Sequence, residues 1–179
     1  MKTIRVNKIS YGRHYSDTPG KSGTESEHAA ELPDGFLVPA AATENTDAAA
    51  SRQVLQGRRI LMAEGNRLNG EVMKSIFGAA GAEPDMVSDG RQAVIRFISQ
   101  PAGTYSAVLL DVSLAELSGY DAADCIRICG KDDAETVPLY AIIANATEED
   151  AYRAYTHKFN AVFSRPVDCG AMLKKIREQ

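Results

Sequence analysis

From residue 57 onward the apolar positions of this chain fall into two alternating rhythms, and before it they fall into neither. Residues 60–63, Ile-Leu-Met-Ala, are a short apolar run ending in polar residues, the pattern of a strand buried on both faces. Asn66 offers a side-chain oxygen to cap a helix in which Leu68, Val72, Ile76 and Ala80 recur at i, i+4, i+8 and i+12 as the inward face. Gly81 ends that helix. Residues 85–88 read as a second, shorter strand, and Asp89-Gly90 turns into a helix carrying Val94, Phe97 and Ile98 until Pro101 and Gly103 break it. Residues 107–110 are the most hydrophobic strand, which stops abruptly at Asp111. A loop through Gly119 leads to a helix over 122–128, a strand over 137–143 and a helix over 148–157. The last strand covers 161–163, and Asp168 starts a final helix with Met172, Leu173 and Ile176 inward.

Five strands alternating with five helices predict an α/β fold: a five-stranded parallel sheet, doubly wound in the flavodoxin-like (βα)5 manner. Such sheets place their sites beyond the carboxyl ends of the strands. The residues at those ends are Glu64-Gly65, Asp111, Ile143-Ala144 and Arg165.

Residues 1–56 have a different character. Residues 16–33 mix Ser, Thr, Gly, Pro, Glu and His, and residues 40–51 are an Ala/Thr/Asp/Glu stretch. That composition buries too little apolar surface to offset chain entropy, so it reads as a poorly ordered linker or tail joined to a domain over 57–179. Two apolar pieces, residues 4–9 and Phe36-Leu37-Val38, read as short strands or as remnants of an upstream domain. Gly20-Lys21-Ser22 imitates the end of a phosphate-binding loop, but Tyr15 stands where the required earlier glycine belongs and no buried strand precedes it.

Composition narrows the picture little. A hydrophobic share of 44%, a charged share of 25% and a net charge of −4 describe an ordinary globular chain with no nucleic-acid surface. No apolar run approaches a membrane span, and Met1 to Asn7 lack the apolar segment of a secretory signal, so a cytoplasmic location is expected. Three cysteines, Cys125, Cys129 and Cys169, are an odd number and read as free thiols in a reducing compartment. Cys125 and Cys129 lie one helical turn apart, a spacing that ordinary helix packing explains without a metal. His14, His28 and His157 have no partners at catalytic spacing.

Four segments carry a specific resemblance. Ile60 to Asn69, Leu109 to Tyr120, Ala141 to Ala146 and Asn160 to Asp168 resemble, in order and spacing, the strand-end segments of response-regulator receiver domains, especially those fused to hybrid sensor histidine kinases. In that family an acidic pair after the first strand, an acceptor aspartate and a backbone carbonyl two residues later bind magnesium. The aspartate attacks an incoming phosphoryl group, and a hydroxyl and a lysine hold the product's oxygens. Matched position by position, the resemblance makes Asp111 the phospho-acceptor, Glu64 the first acid and Ser113 the carbonyl donor. Gly65 stands at the position of the second acid, Ile143 at that of the hydroxyl, Arg165 at that of the lysine and Val162 at that of a switching aromatic or His. Leu114-Ala115 replaces the usual Met-Pro, Ser118 an Asp, and Gly119 is retained. The resemblance also implies a cis peptide before Pro166.

These replacements predict weak magnesium binding or none. A lost carboxylate costs at least as much as lost outer support, roughly 10–100-fold in metal affinity. Arg165 keeps a positive charge and bonds carboxylates with a planar fork, so it is expected to pair with Asp111, Glu64 or both, using space released by Gly65. The function expected is that of a non-enzymatic receiver module of a phosphorelay, acting by protein contact, in a chain derived from or related to a hybrid kinase. Its expected partner is a histidine kinase or phosphotransfer protein, met on the face between Glu148 and Ile176. The alternatives are a receiver that still accepts phosphate on Asp111 and an aspartate-nucleophile phosphohydrolase. The second would carry another acid where Ser113 stands.

Overall fold

The computed structural model describes residues 31–40 and 54–179. Residues 4–9, the Gly20-Lys21-Ser22 segment, His14 and His28 lie outside them. The chain runs β1 (Leu37–Val38), β2 (Arg59–Ala63), α1 (Arg67–Ala79), β3 (Glu83–Val87), α2 (Gly90–Ser99), β4 (Ala107–Asp111), α3 (Gly119–Arg127), β5 (Leu139–Ala144), α4 (Glu148–Thr156), β6 (Ala161–Arg165) and α5 (Cys169–Arg177). All strands are parallel, in the order β1-β6-β5-β4-β2-β3.

Among the described residues the sheet therefore has six strands rather than five, because Leu37–Val38 adds to the free edge of β6. A boundary at residue 57 leaves out Phe36 and Leu55, each of which is buried in a core on one face of this sheet. A two-residue strand has no periodicity of its own to reveal it; Phe36 does the anchoring.

Strand residues alternate between two cores. Leu61, Val108, Leu110, Ala141 and Val162 face one cluster with α2, α3 and α4. Ile60, Leu109, Tyr140, Ile142 and Phe163 face the other with α1 and α5. Both faces of the central strands are apolar because both are covered, which is why these segments read as continuous hydrophobic runs.

The inward face of α1 differs from the one the spacing of four predicts. Leu68 is 74% and Val72 52% exposed, while Gly70, Met73, Phe77 and Ala80 turn inward. A step of four residues overshoots a full turn by about 40°, so a strict i+4 series spirals off any straight helix's buried side. The series Met73, Phe77, Ala80 alternates steps of four and three and stays on it. On α2, Phe97 is buried as expected, but Ala93 joins it in the core while Ile98 is 48% exposed.

The helix starts follow local chemistry. Asn66, Asp89, Ser118, Thr147 and Asp168 each accept a backbone N–H as N-cap, and Thr147 with Asp150 forms a reciprocal pair. At the end of α3, the buried Arg127 donates to the carbonyls of Ala134, Val137 and Lys158 and to Asn160 Oδ1. Burial pulls its pKa below the usual arginine value, with Glu135 opposing. All three cysteines are free, and burial followed by the charge of Asp168 pushes the Cys169 thiol up.

Candidate functional site

The chain order reverses between β2, which leads out to β3, and β4, which lies on its other side. At such a switch point the loops beyond neighbouring strands diverge and leave a crevice. Glu64 follows β2 and Asp111 closes β4, so the topology brings two acids to one crevice. Both are buried, at 5% and 6% exposure.

Arg165, the last residue of β6, reaches across to them. Its Nη2 donates to Asp111 Oδ2 at 3.0 Å and also to Glu64 Oε2. The other carboxylate oxygens are occupied as well. Asp111 Oδ1 accepts the N–H of Ser113 at 2.8 Å, and Glu64 Oε1 accepts the N–H of Asn66 at 2.9 Å. Asn69 Nδ2 stands 3.5 Å from that same oxygen. The result is a closed unit of two anions and one cation in which every carboxylate oxygen has a donor. Charge-assisted bonds of this kind are roughly twice as strong as neutral ones.

Of the remaining predicted positions, Ser113 joins this unit and Ile143, Val162 and Gly65 lie around it. Ser113 contributes its N–H to Asp111. Ile143 is buried near the end of β5, paired in register with Ser164. Val162 is fully buried in the middle of β6, where its N–H donates to the Phe36 carbonyl. A Cβ at Gly65 would meet only the Ser88 carbonyl at 3.7 Å and a Leu114 methyl at 4.0 Å, with no atom of Arg165 within 4 Å. The space at Gly65 opens on a groove of about 390 Å³ with Glu64, Gly70, Met86, Ser88 and Gln92 along it. The Arg165–Pro166 peptide is cis.

Two contributors escape reasoning from sequence. Asn66 reads as a helix cap, and its side chain is one, but its backbone N–H also fixes Glu64. Ser164 reads as a strand residue, yet its hydroxyl accepts the N–H of Ala146 and ties down the loop after β5. Neither signal exists before the loops have a shape.

Gly119 has a steric duty. A Cβ at this position would lie 2.3 Å from the Asp111 carbonyl oxygen and 2.8 Å from Val112 Cα, both backbone atoms. Gly119→Ala is expected to push α3 away from β4 and lower stability by roughly 1–3 kcal/mol, the usual cost of overpacking. Urea unfolding checks this, and Gly78→Ala, with nothing within 4 Å of its Cβ, is the control.

A doubly wound parallel sheet with an acid closing its central strand and a basic residue before a cis proline at the end of the strand next but one defines the receiver class of signalling folds. The comparisons agree. In structure the chain is similar to the receiver domain of a sensor histidine kinase from Pseudomonas aeruginosa, solved with magnesium in its active-site cleft, at TM-score 0.61 and 29% identity over 68% of this chain and 96% of that one. It is also similar to the receiver domain of the Saccharomyces cerevisiae response regulator Ssk1, co-crystallised with the phosphotransfer protein Ypd1, at TM-score 0.61 and 23% identity over 69% and 89%. Among curated proteins it is 26% identical over 169 residues to two-component system protein A of Emericella nidulans. It is 28% identical over 172 residues to the peroxide stress-activated histidine kinase mak1 of Schizosaccharomyces pombe. The chain spans 24% and 10% of the lengths of those two proteins. No family model matches it. The chain carries a response-regulator receiver domain, the signalling module of two-component phosphorelays.

Proposed function

We propose that this receiver domain works by protein contact and that Arg165 stands at the acceptor carboxylate in place of a metal ion. One observation carries the reading: a single guanidinium donates to both Glu64 and Asp111, the two carboxylates a cation would have to share. Magnesium demands several hard oxygen ligands in near-octahedral array. Here the donor set is two carboxylates already bonded, a glycine where another acid would stand and an isoleucine where a hydroxyl would stand. Among the described residues no three His, Cys, Asp or Glu side chains gather as a metal would need. These residues do not fit the ion in this arrangement.

In this reading Asp111 keeps the acceptor position while its charge is spent on Arg165. The guanidinium holds β4, β6 and the loop after β2 in one relation, so the domain presents a single state to its partner. That partner is a histidine kinase or phosphotransfer protein, a choice supported by the kinase relatives and by the Ssk1–Ypd1 complex. The contact face runs from Glu148 to Ile176, the domain itself is non-enzymatic, and it works in the cytoplasm. No helix among the described residues is long and apolar enough to cross a membrane.

A receiver that still takes phosphate on Asp111 is the second reading, favoured by the magnesium in the cleft of the 29%-identical Pseudomonas receiver. Acetyl phosphate or beryllofluoride with magnesium separates the two. Unchanged amide shifts at Asp111, Ser113 and Gly119 are expected. Saturable shifts at those residues, abolished by Asp111→Asn, would establish the second reading instead.

A further inference from the structure

The free edge of β6 is covered by residues from far upstream in the chain. The Phe36 carbonyl accepts the Val162 N–H at 2.7 Å, and Leu37 and Val38 run parallel in register with Val162 and Phe163. Phe36 is 3% exposed, and its ring meets Tyr155 of α4 edge-on at 5.5 Å. Leu37 packs on the core under α4, and Val38 on the core of the opposite face. So short a strand has few backbone bonds to hold it, and the buried aromatic ring supplies the grip. An exposed sheet edge that receives an extended segment, with a pocket for one large side chain, is the strand-addition mode of peptide recognition.

A groove lies beside this segment. Tyr155 borders it, and its open space of about 640 Å³ continues past Tyr152, Thr156, Lys158 and Glu135. Tyr155 is thus common to the Phe36 contact and to the wall of that groove, which no described residue of the segment lines.

We propose that the β6 edge with the Tyr155 side of α4 is a docking site for an extended peptide of aromatic-aliphatic-aliphatic pattern from a partner protein, and that Phe36-Leu37-Val38 is its built-in, displaceable occupant. Tethering gives the resident segment an effective concentration on the order of millimolar, so a free peptide wins only if the resident anchor is weakened or the newcomer adds contacts in the groove. The assignment stands on the strand pairing and the Phe36 pocket, whatever the chemistry of Asp111.

A fluorescent peptide of residues 31–40 tests this by anisotropy on the full chain. Phe36→Ser should bind the peptide at least tenfold more tightly than the unsubstituted chain. Its Val162 amide should exchange with solvent faster while the amides of β5 keep their protection. In a second arm, a protease site inserted between residues 45 and 46 of the otherwise unchanged chain is cut. The N-terminal piece should then leave on dilution and the labelled peptide should take its place. Equal binding to the uncut chain and to Phe36→Ser would show that the site is not occupied in cis and would overturn the proposal. A cut chain that keeps its own piece through gel filtration and takes up no peptide would overturn it as well, making the strand a fixed part of the fold.

Discussion

Replacing Arg165 with methionine should cost the domain about 3 kcal/mol in urea unfolding. That is the lower end of the range for removing one partner of a buried ion pair, chosen because the Arg165 side chain keeps 29% exposure. The Glu64 and Asp111 side chains, at 2% and 9%, would be left as like charges in one crevice with no cation between them. Adding Glu64→Gln and Asp111→Asn to Arg165→Met should recover most of the loss, since the cost lies in the unpaired anions rather than in a missing contact. Arg165→Lys should fall between. It keeps the charge, but a point ammonium bonds two separate carboxylates less well than a planar fork. If all three variants unfolded at the urea concentration of the unsubstituted chain, the triad would be ornamental.

The second large effect is expected far from the crevice. Arg127→Met should destabilise by about 3–5 kcal/mol, because a buried acceptor that loses its donor forfeits about 1–3 kcal/mol and Arg127 serves several. Its Nη1 bonds Ala134 and Val137 carbonyls at 2.9 and 2.8 Å, and its Nη2 bonds the Lys158 carbonyl and Asn160 Oδ1. Asn160 in turn accepts the Leu139 N–H, so the guanidinium ties the loop before β5 to the turn before β6. Lysine, with a single donor centre, should rescue less than half. Measured together, Arg127→Met and Arg165→Met should be additive, as independent sites at opposite ends of the sheet are.

How much of this was legible in the sequence depended on range. The central strands announced themselves because a strand covered on both faces has no polar position to break its run, and Asp111 stood out as the charge that ended the most apolar of them. The helix starts were legible at Asn66, Asp89 and Asp168, where the capping group is the residue's own side chain. Partners distant in sequence were legible only through the resemblance. Glu64 and Arg165 lie 101 residues apart, and nothing local in either segment names the other. The sixth strand was ambiguous because Leu37–Val38 is stabilised almost wholly by tertiary contacts. Arg127 was invisible: it sits in a helix end where a basic residue is ordinary, and only the folded loops show that it is enclosed by carbonyls. The face of α1 went astray for a geometric reason, since steps of four approximate a helical turn over one repeat and not over three.

Magnesium titration of the unsubstituted chain beside Gly65→Asp/Arg165→Lys asks directly whether an internal cation has displaced an external one. An acid at position 65 has room, with only the Ser88 carbonyl and a Leu114 methyl within 4 Å of its Cβ. The double variant should bind magnesium at least tenfold more tightly than the unsubstituted chain, in line with the roughly 10–100-fold that supporting ligands contribute. Equal affinity in the two proteins would mean that Arg165 yields to the metal, and the site would be an ordinary magnesium-dependent one.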